Sequence, residues 1–195
     1  MNVALTKAWF FAKPFSFAIL GPNTFLFKFS EKEHISKILS QVWNVNGCLL
    51  ALQTWSPKAT LGELSLNSIP LWIQVHGLLL DNMSLKNSIA IGKGLGNFVK
   101  IDSANGVNST FRSFLKLLVE IDVSKPLNPG FLFTRMDNST TWISLKYERL
   151  DLYCINCGLI GHKKNSCLAP QANRFPTRYK ISLHVNLSSN LNSPL

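Results

Sequence analysis

Residues 154–167 read CINCGLIGHKKNSC, and this stretch decides how its part of the chain folds. Its spacing is C-x2-C-x4-H-x4-C, formed by Cys154, Cys157, His162 and Cys167. Zinc in proteins prefers four ligands at tetrahedral corners, with thiolate sulfur and imidazole nitrogen among the commonest. Three thiolates and one imidazole saturate the metal and leave no position for a catalytic water. The spacing therefore predicts one structural zinc ion.

The residues between these ligands suit a tight loop around a metal. Gly158 permits a sharp turn after Cys157, and Gly161 lets the backbone come close just before His162. A segment this short cannot bury a core, so we expect zinc to supply its folding energy, about 10–16 kcal/mol in zinc-finger peptides. A redox pair is the alternative, but it requires neither the histidine, the third cysteine nor the glycines.

The chain as a whole is basic and apolar enough to fold. Its 195 residues include 20 Lys and Arg against 10 Asp and Glu, a net charge of +10, and 46% are hydrophobic. Such a charge favours polyanionic partners, nucleic acid first and an acidic membrane surface second. No apolar stretch approaches the roughly 20 residues of a membrane span, and no signal peptide is recognisable.

Cysteine usage indicates a reducing compartment. Three of the four cysteines lie in the zinc stretch, whereas a secreted disulfide framework would spread its pairs. Cys48 stands apart and is predicted to be a buried small hydrophobe. We expect an intracellular protein that does not associate with membranes; the nucleus is compatible with the sequence but not determined by it.

Periodic patterns upstream of the zinc stretch predict two α+β modules. In residues 1–56, alternating apolar residues at 15–19 and 25–29 predict a hairpin, and helical spacing at 35–42 predicts a helix. Residues 57–70 are irregular and are interpreted as a linker.

The second module, residues 71–150, is predicted to contain one helix and several strands: strand 71–76, helix 81–91 ended by glycines, and strands 98–101, 115–123 and 143–147. This order fits a ferredoxin-like or RRM-like antiparallel sheet, and the first segment resembles a smaller version of it. The predicted fold class is therefore α+β, followed by a small zinc-binding segment at 151–170 and a basic, disordered tail at 171–195.

The zinc stretch resembles the CCHC zinc knuckle of retroviral nucleocapsid and retrotransposon proteins, which bind single-stranded RNA or DNA. The resemblance implies an apolar platform for an unpaired base, supplied here by Ile155 and Ile160. Strong binders carry an aromatic residue at the position of Ile155 and often an apolar residue at that of Lys164. Because aromatic stacking contributes about 1–3 kcal/mol per base, two aliphatic residues should contribute less.

A wider resemblance covers about residues 1–170. Segments 69–78, 119–127 and 142–150, leading into the knuckle, are similar to a plant domain-of-unknown-function family that ends in a CX2CX4HX4C knuckle and is related to retrotransposons. In that family a strand and half a helix precede the position of Met1. The resemblance implies that the first module is an N-terminally truncated copy.

These features together predict a zinc-dependent, non-enzymatic protein that binds single-stranded nucleic acid. Phosphate contacts are assigned to basic residues in and after the knuckle: Lys163, Lys164, Arg174, Arg178 and Lys180. A solvated basic tail without a partner is the alternative interpretation.

Two other function classes are compatible with parts of the sequence. A protein-interaction knuckle, whose apolar platform docks a partner polypeptide, is the leading alternative. An enzyme ranks third, because Glu120 and Asp122 lie two apart without a third acid or histidine at a recognisable spacing. The glycines of 92–96 lack the spacing and the final Ser or Thr of a phosphate-binding P-loop.

Overall fold

The computed structural model describes residues 2–12, 14–102, 113–170 and 184–185. Three α-helices are present in these ranges: α1 Asn2–Ala8, α2 Lys32–Leu39 and α3 Leu85–Leu95. The strands are β1 Phe15–Gly21, β2 Thr24–Phe29, β3 Asn44–Val45, β4 Cys48–Leu49, β5 Ser68–His76, β6 Asn97–Ile101, β7 Phe114–Asp122, β8 Gly130–Thr134, β9 Thr140–Glu148 and β10 His184–Val185. None of the described helices is long and apolar enough to cross a membrane.

The main sheet contains β9, β5, β7 and β6 in that spatial order, with each neighbouring pair antiparallel. If β5, β6, β7 and β9 are counted as strands 1 to 4, the spatial order is 4-1-3-2, as in a ferredoxin-like module. Helix α3 lies between the first two of these strands in the chain. The second helix of that plan is replaced by β8, which pairs antiparallel with β9; β10 pairs parallel with the end of β9. The predicted α+β class with antiparallel sheets is confirmed.

Alternation along the strands puts the aliphatic residues on one face of this sheet. Leu71, Ile73 and Val75 of β5 are fully buried, and Leu117 and Val119 of β7 lie opposite them. Helix α3 packs on the β6–β7 side of the sheet. This side contributes most of the core, since each inward residue has apolar partners on neighbouring strands.

Helix α3 extends further than its glycines suggested. It begins after Ser84, whose hydroxyl accepts a hydrogen bond of 3.3 Å from the Asn87 amide. It runs through Gly92 to Leu95, so the predicted end at residue 91 is wrong. The reason is packing: the ring of Phe98 occupies the space that a side chain at Gly92 would need. The glycine is therefore a site of close approach within the helix.

Strand β5 also begins earlier than predicted. Ser68 already pairs with Asp122, and Ile69 is 4% exposed, so the last three residues of the predicted linker 57–70 belong to the sheet. Strand β7 lies between β5 and β6 and is long enough to pair with all of β5. Pro70 is accommodated within this long strand, although a proline preceded by an irregular segment favoured a boundary.

The first segment has its own core, centred on Trp9. This side chain is fully buried among the rings of Phe15, Phe27, Phe29 and Trp43, at centroid distances of 5.0–5.7 Å. The predicted β1–β2 hairpin and the helix α2 are both present.

This segment is not a smaller copy of the main sheet. Its described strands form two separate pairs, β1–β2 and β3–β4, because β3 and β4 are two residues each and turn at Asn46 and Gly47 with φ of 52° and 82°. Cys48, predicted to be buried, is exposed at this tight turn.

Candidate zinc centre

The structure brings the four predicted ligands together. The ligand atoms of Cys154, Cys157, His162 and Cys167 all lie within 4.8 Å of one another, although the residues span the whole knuckle segment. Cys154 is buried and the other three are half-buried. This arrangement gives one compact group of three sulfurs and one imidazole nitrogen.

The distances within this group fit zinc. Bond lengths of about 2.3 Å to sulfur and 2.0–2.1 Å to nitrogen imply a sulfur–nitrogen edge of about 3.6 Å in a tetrahedron. The separation of Cys157 Sγ and His162 Nε2 is 3.4 Å. The three cysteines are free of disulfide bonds and so remain available as thiolates. The knuckle therefore holds one structural zinc ion.

Backbone hydrogen bonds shape the loop around the ligands. The Gly158 amide donates to the Cys154 carbonyl and the Cys154 amide donates to the Leu159 carbonyl, both at 2.8 Å. Gly158 and Gly161 adopt φ of 78° and 102°, which side-chain-bearing residues rarely adopt. After His162, a short 3-10 helix at Lys164–Ser166 delivers Cys167 to the site. The two predicted glycine turns are thus both used.

Asn156 supports the ligand set and was missed from the sequence. Its side-chain amide donates to the Cys167 sulfur and to the Ala169 carbonyl, both at 3.3 Å. The Asn156 amide first, and His162 second, lower the pKa of the Cys167 thiol to about 6. Burial instead raises the pKa of the Cys157 thiol. Zinc binding displaces the thiol protons, so the hydrogen-bonded Cys167 gives up its proton more readily than Cys157.

The knuckle is attached to the main sheet and does not hang free. Tyr153 is 9% exposed and belongs to the main core, and it forms a β-bridge with Ile160. The Leu127 amide, in the loop between β7 and β8, donates to the Gly158 carbonyl at 2.9 Å. The segment after β9 and the loop between β7 and β8 therefore form the base on which the zinc loop lies.

A second attachment reaches the N-terminal segment. The Arg149 guanidinium donates to the Val42 carbonyl at 2.9 Å, and the Asn44 amide donates to the Asp151 carboxylate at 2.7 Å. Arg149 has a φ of 58°, so the chain turns sharply between β9 and the knuckle. These contacts between distant parts of the chain have no signal in the sequence.

The predicted nucleic-acid contacts are placed only in part. Lys163 and Lys164 are exposed next to the ligand His162. Ile155 and Ile160 are half-buried and pack against the main core, so only part of each remains for a base. Arg174, Arg178 and Lys180, with most of the predicted tail, lie outside the described residues.

Leu168, which was not predicted to be a contact residue, is fully exposed directly after the last zinc ligand. A wholly exposed leucine beside a metal site adds apolar surface at the knuckle. The signal that could have found it is its position next to Cys167.

Comparisons with known proteins agree with this picture. The zinc knuckle family matches residues 121–169, a range that includes β8 and β9 as well as the zinc loop. The domain of unknown function DUF4283 matches residues 1–63.

An uncharacterized protein of Arabidopsis thaliana is 24% identical over 136 residues, covering 68% of this chain. The chain spans 41% of the length of that relative. No solved structure matches the chain.

The predicted resemblance to a domain-of-unknown-function family with a C-terminal CCHC knuckle is confirmed by these matches. The chain combines a DUF4283 segment at residues 1–63 with a CCHC-type zinc knuckle within residues 121–169.

Proposed function

We propose that this protein is a zinc-dependent, non-enzymatic binder of single-stranded RNA or DNA. The observation that carries the proposal is the closed set of three sulfurs and one imidazole nitrogen within 4.8 Å, beside two exposed lysines. A saturated zinc site organises a surface and offers no open position for substrate or water. Binding is the activity that such a site supports.

The lysines and the apolar residues of the knuckle would contact different parts of the nucleic acid. Lys163 and Lys164 contact phosphates, which makes the affinity fall as salt rises. The exposed part of Ile160, together with Leu168, contacts an unpaired base. Duplex bases are stacked on each other and cannot offer a face to these side chains, so single strands are preferred.

The family relationship adds to this proposal. The resemblance of the knuckle and of the segments before it to retrotransposon-related plant proteins supports an origin of the same type. The net charge of +10 supports a polyanionic partner. Such a partner supports the expected intracellular site and is compatible with the nucleus.

The test compares two cysteine variants. Cys167→Ser removes a zinc ligand, whereas Cys48→Ser changes an exposed cysteine outside the site. Zinc content is measured by native mass spectrometry, and binding to a labelled oligouridine and to a duplex is measured by fluorescence anisotropy. We expect Cys167→Ser to lose zinc and to bind the single strand at least about tenfold more weakly, since loss of a mere outer-shell partner already costs about 10–100-fold in metal affinity or activity. Cys48→Ser should retain both properties.

A zinc-free Cys167→Ser protein that binds oligouridine as tightly as the parent would contradict the proposal. Equal affinity for the duplex and the single strand would contradict the preference for unpaired bases.

A protein-interaction knuckle is the second candidate, and the fully exposed Leu168 favours it. Single exposed apolar side chains are common on protein surfaces, but Leu168 adds to the exposed parts of Ile155 and Ile160, and a polypeptide groove would serve this apolar surface as well as a base. A salt titration distinguishes the two. Single-strand binding weakens by a slope of about 0.7 per phosphate contact on logarithmic axes, whereas an apolar protein interface responds little.

A further inference from the structure

The main sheet has a face that α3 does not cover. Because side chains alternate along a strand, the even-numbered residues of β5, β7 and β9 point away from the aliphatic side. His76 lies opposite Phe114 in the register, and Gln74 lies opposite Lys116. We call this surface the open sheet face. Its middle, at Gln74, Leu118 and Glu148, is buried, and its half-buried or exposed aromatic and basic residues include Trp72, His76, Phe114, Trp142, Lys100 and Lys146.

Aromatic rings lie along this face. The rings of His76 and Phe114 are 4.8 Å apart with an interplanar angle of 32°, and both side chains are half-buried. Trp142 is 49% exposed, and its ring lies against Gly130, where a side chain would collide with it. Trp72 lies four residues before His76 on the same strand, but the ammonium groups of Lys116 and Lys100 lie over its ring, 4.9 and 5.8 Å from the centroid, so it is not open to a base. The rings of Trp142, His76 and Phe114 lie on three neighbouring strands and form a row that is longer than a single base.

This face carries both charges, and two lysines in its described part lack an acidic partner. Glu148, 3% exposed, accepts a hydrogen bond from Gln74 at 2.7 Å and forms a salt bridge with Lys116 at 2.9 Å, so those two charges compensate each other. Lys100 and Lys146 have no acidic partner within salt-bridge distance among the described residues. The carboxylates of Glu120 and Asp122, at the far end of β7, bind Asn97 and the Ser124–Lys125 turn instead.

The histidine in this row is uncharged at neutral pH. Burial first, and the charge of Lys146 second, lower the pKa of His76 to about 4. A neutral imidazole stacked on Phe114 is a flat surface similar to the neighbouring rings. The effect of Lys146 also indicates that its ammonium group is directed to the same part of the face.

We infer that the open sheet face is a second contact surface for single-stranded nucleic acid, with unpaired bases stacked on Trp142 and the His76–Phe114 pair and phosphates held by Lys100 and Lys146. This inference rests on the proposed function and extends it beyond the knuckle. Stacking on aromatic rings is open to every base, since each has a π-face, and it requires unpaired strands. Such a strand repeats a base and a phosphate, so flat rings can stack on its bases while the neighbouring lysines bind its phosphates.

The position of the knuckle connects the two surfaces. Strand β9 carries Trp142 and Lys146, ends at Glu148, and leads to the first zinc ligand, Cys154, a few residues later. One strand of nucleic acid can therefore contact the sheet and the knuckle together. The minimal oligonucleotide for full affinity should be longer than the knuckle alone would require.

The test uses two tryptophans of similar exposure. Trp142 is 49% exposed on the open sheet face, and Trp55 is 46% exposed outside it. In the zinc-loaded full chain, Trp142→Leu should weaken binding to a labelled 16-nucleotide oligouridine by about fivefold or more, the lower end of aromatic stacking. Trp55→Leu should change it less than about twofold, a difference too small for a lost stacking contact. Phe114→Leu provides a second variant at the other end of the row.

The charge part is tested in the same assay. Lys146→Gln should reduce the salt dependence of binding by a slope of about 0.7, as for one lost phosphate contact. Lys58→Gln, at an exposed lysine outside the face, should not change the slope. Zinc content and thermal unfolding of each variant are measured alongside, so that a misfolded protein is recognised and replaced by the second variant.

The outcomes separate this inference from the proposed function. If Cys167→Ser weakens binding while Trp142→Leu and Phe114→Leu do not, the open sheet face is excluded and the knuckle proposal stands. If Trp142→Leu and Phe114→Leu weaken binding to duplex and single strand equally, stacking on unpaired bases is excluded. Residual binding by zinc-free Cys167→Ser that Trp142→Leu then removes would establish the second surface independently of the knuckle.

Discussion

The sheet and the zinc knuckle are neighbours that are stabilised in different ways. Ile73 in the sheet is fully buried and lies opposite Leu117 and Tyr147, residues far away in sequence. Within residues 154–167 only Cys154 and Gly158 are buried, and all four ligands come from this short segment. The sheet therefore depends on non-local apolar contacts, whereas the knuckle depends on a local set of metal ligands.

Because of this difference, the sheet and the knuckle can unfold separately, except at the joint where they contact each other. The joint consists of Tyr153, its bridge to Ile160 and the hydrogen bond between Leu127 and Gly158. A loss of metal should loosen the zinc loop and leave the sheet folded. A cavity in the sheet should lower its stability and leave the ligands in place.

The largest effect is expected from removing the metal. A chelator should remove zinc and the folding free energy that it supplies, about 10–16 kcal/mol in comparable peptides, and residues 154–167 should lose their order. Strands β5 and β7 should keep theirs, because their core does not contain the metal. Amide hydrogen exchange followed by NMR measures both regions at once. Loss of protection in β5 at the same chelator concentration would contradict the separation.

The next effect concerns the sheet. Ile73→Ala should lower the free energy of unfolding by about 2–5 kcal/mol, since it leaves a cavity at a fully buried position. Ile19→Ala changes an isoleucine that is 71% exposed and should have little effect. Urea denaturation measures the change, and mass spectrometry should find one zinc per chain in both variants. Loss of zinc from Ile73→Ala would mean that the knuckle needs the intact sheet.

A smaller effect is expected from the residue that supports the metal ligands. Asn156→Ala removes the hydrogen bond to the Cys167 sulfur and should weaken zinc binding by about 10–100-fold. Asn165→Ala, at an exposed asparagine of the same loop, is the matched control. Competition with a chromophoric zinc chelator measures the affinity. Equal affinities of the two variants would show that the Asn156 contact does not stabilise the site.

The smallest effect is the titration of His76 on the sheet. The folded pKa of about 4 lies below the ordinary value of 6.5, so the neutral form is favoured in the folded state. This contribution to stability is present above pH 6.5 and is lost as the pH falls toward about 4. NMR of the imidazole protons measures the pKa, and Lys146→Gln should raise it by removing a nearby positive charge. Titration near 6.5 in the parent protein would contradict the burial of this ring.

The sequence predicted those features whose information is local. The spacing of Cys154, Cys157, His162 and Cys167 specified the zinc site, because ligands in one tight loop meet the same ion. Alternation predicted the strands at 114–122 and 140–148 to within a few residues. Sequence patterns failed where contacts with another part of the chain decide the conformation. Gly92 lies inside helix α3, where the ring of Phe98 packs on it. Cys48 is exposed because its strand is short.

By itself, the sequence determined the zinc ligands, the antiparallel α+β class and the basic character of the chain, since spacing, periodicity and charge act over a few residues. Only the tertiary structure decided that Phe114 lies beside His76, that Trp142 lies on Gly130, and that Arg149 reaches Val42. These contacts join segments that are distant along the chain, and they depend on the register between strands. Register is a property of the whole sheet, because each strand satisfies its hydrogen bonds and buries its apolar face only together with its neighbours.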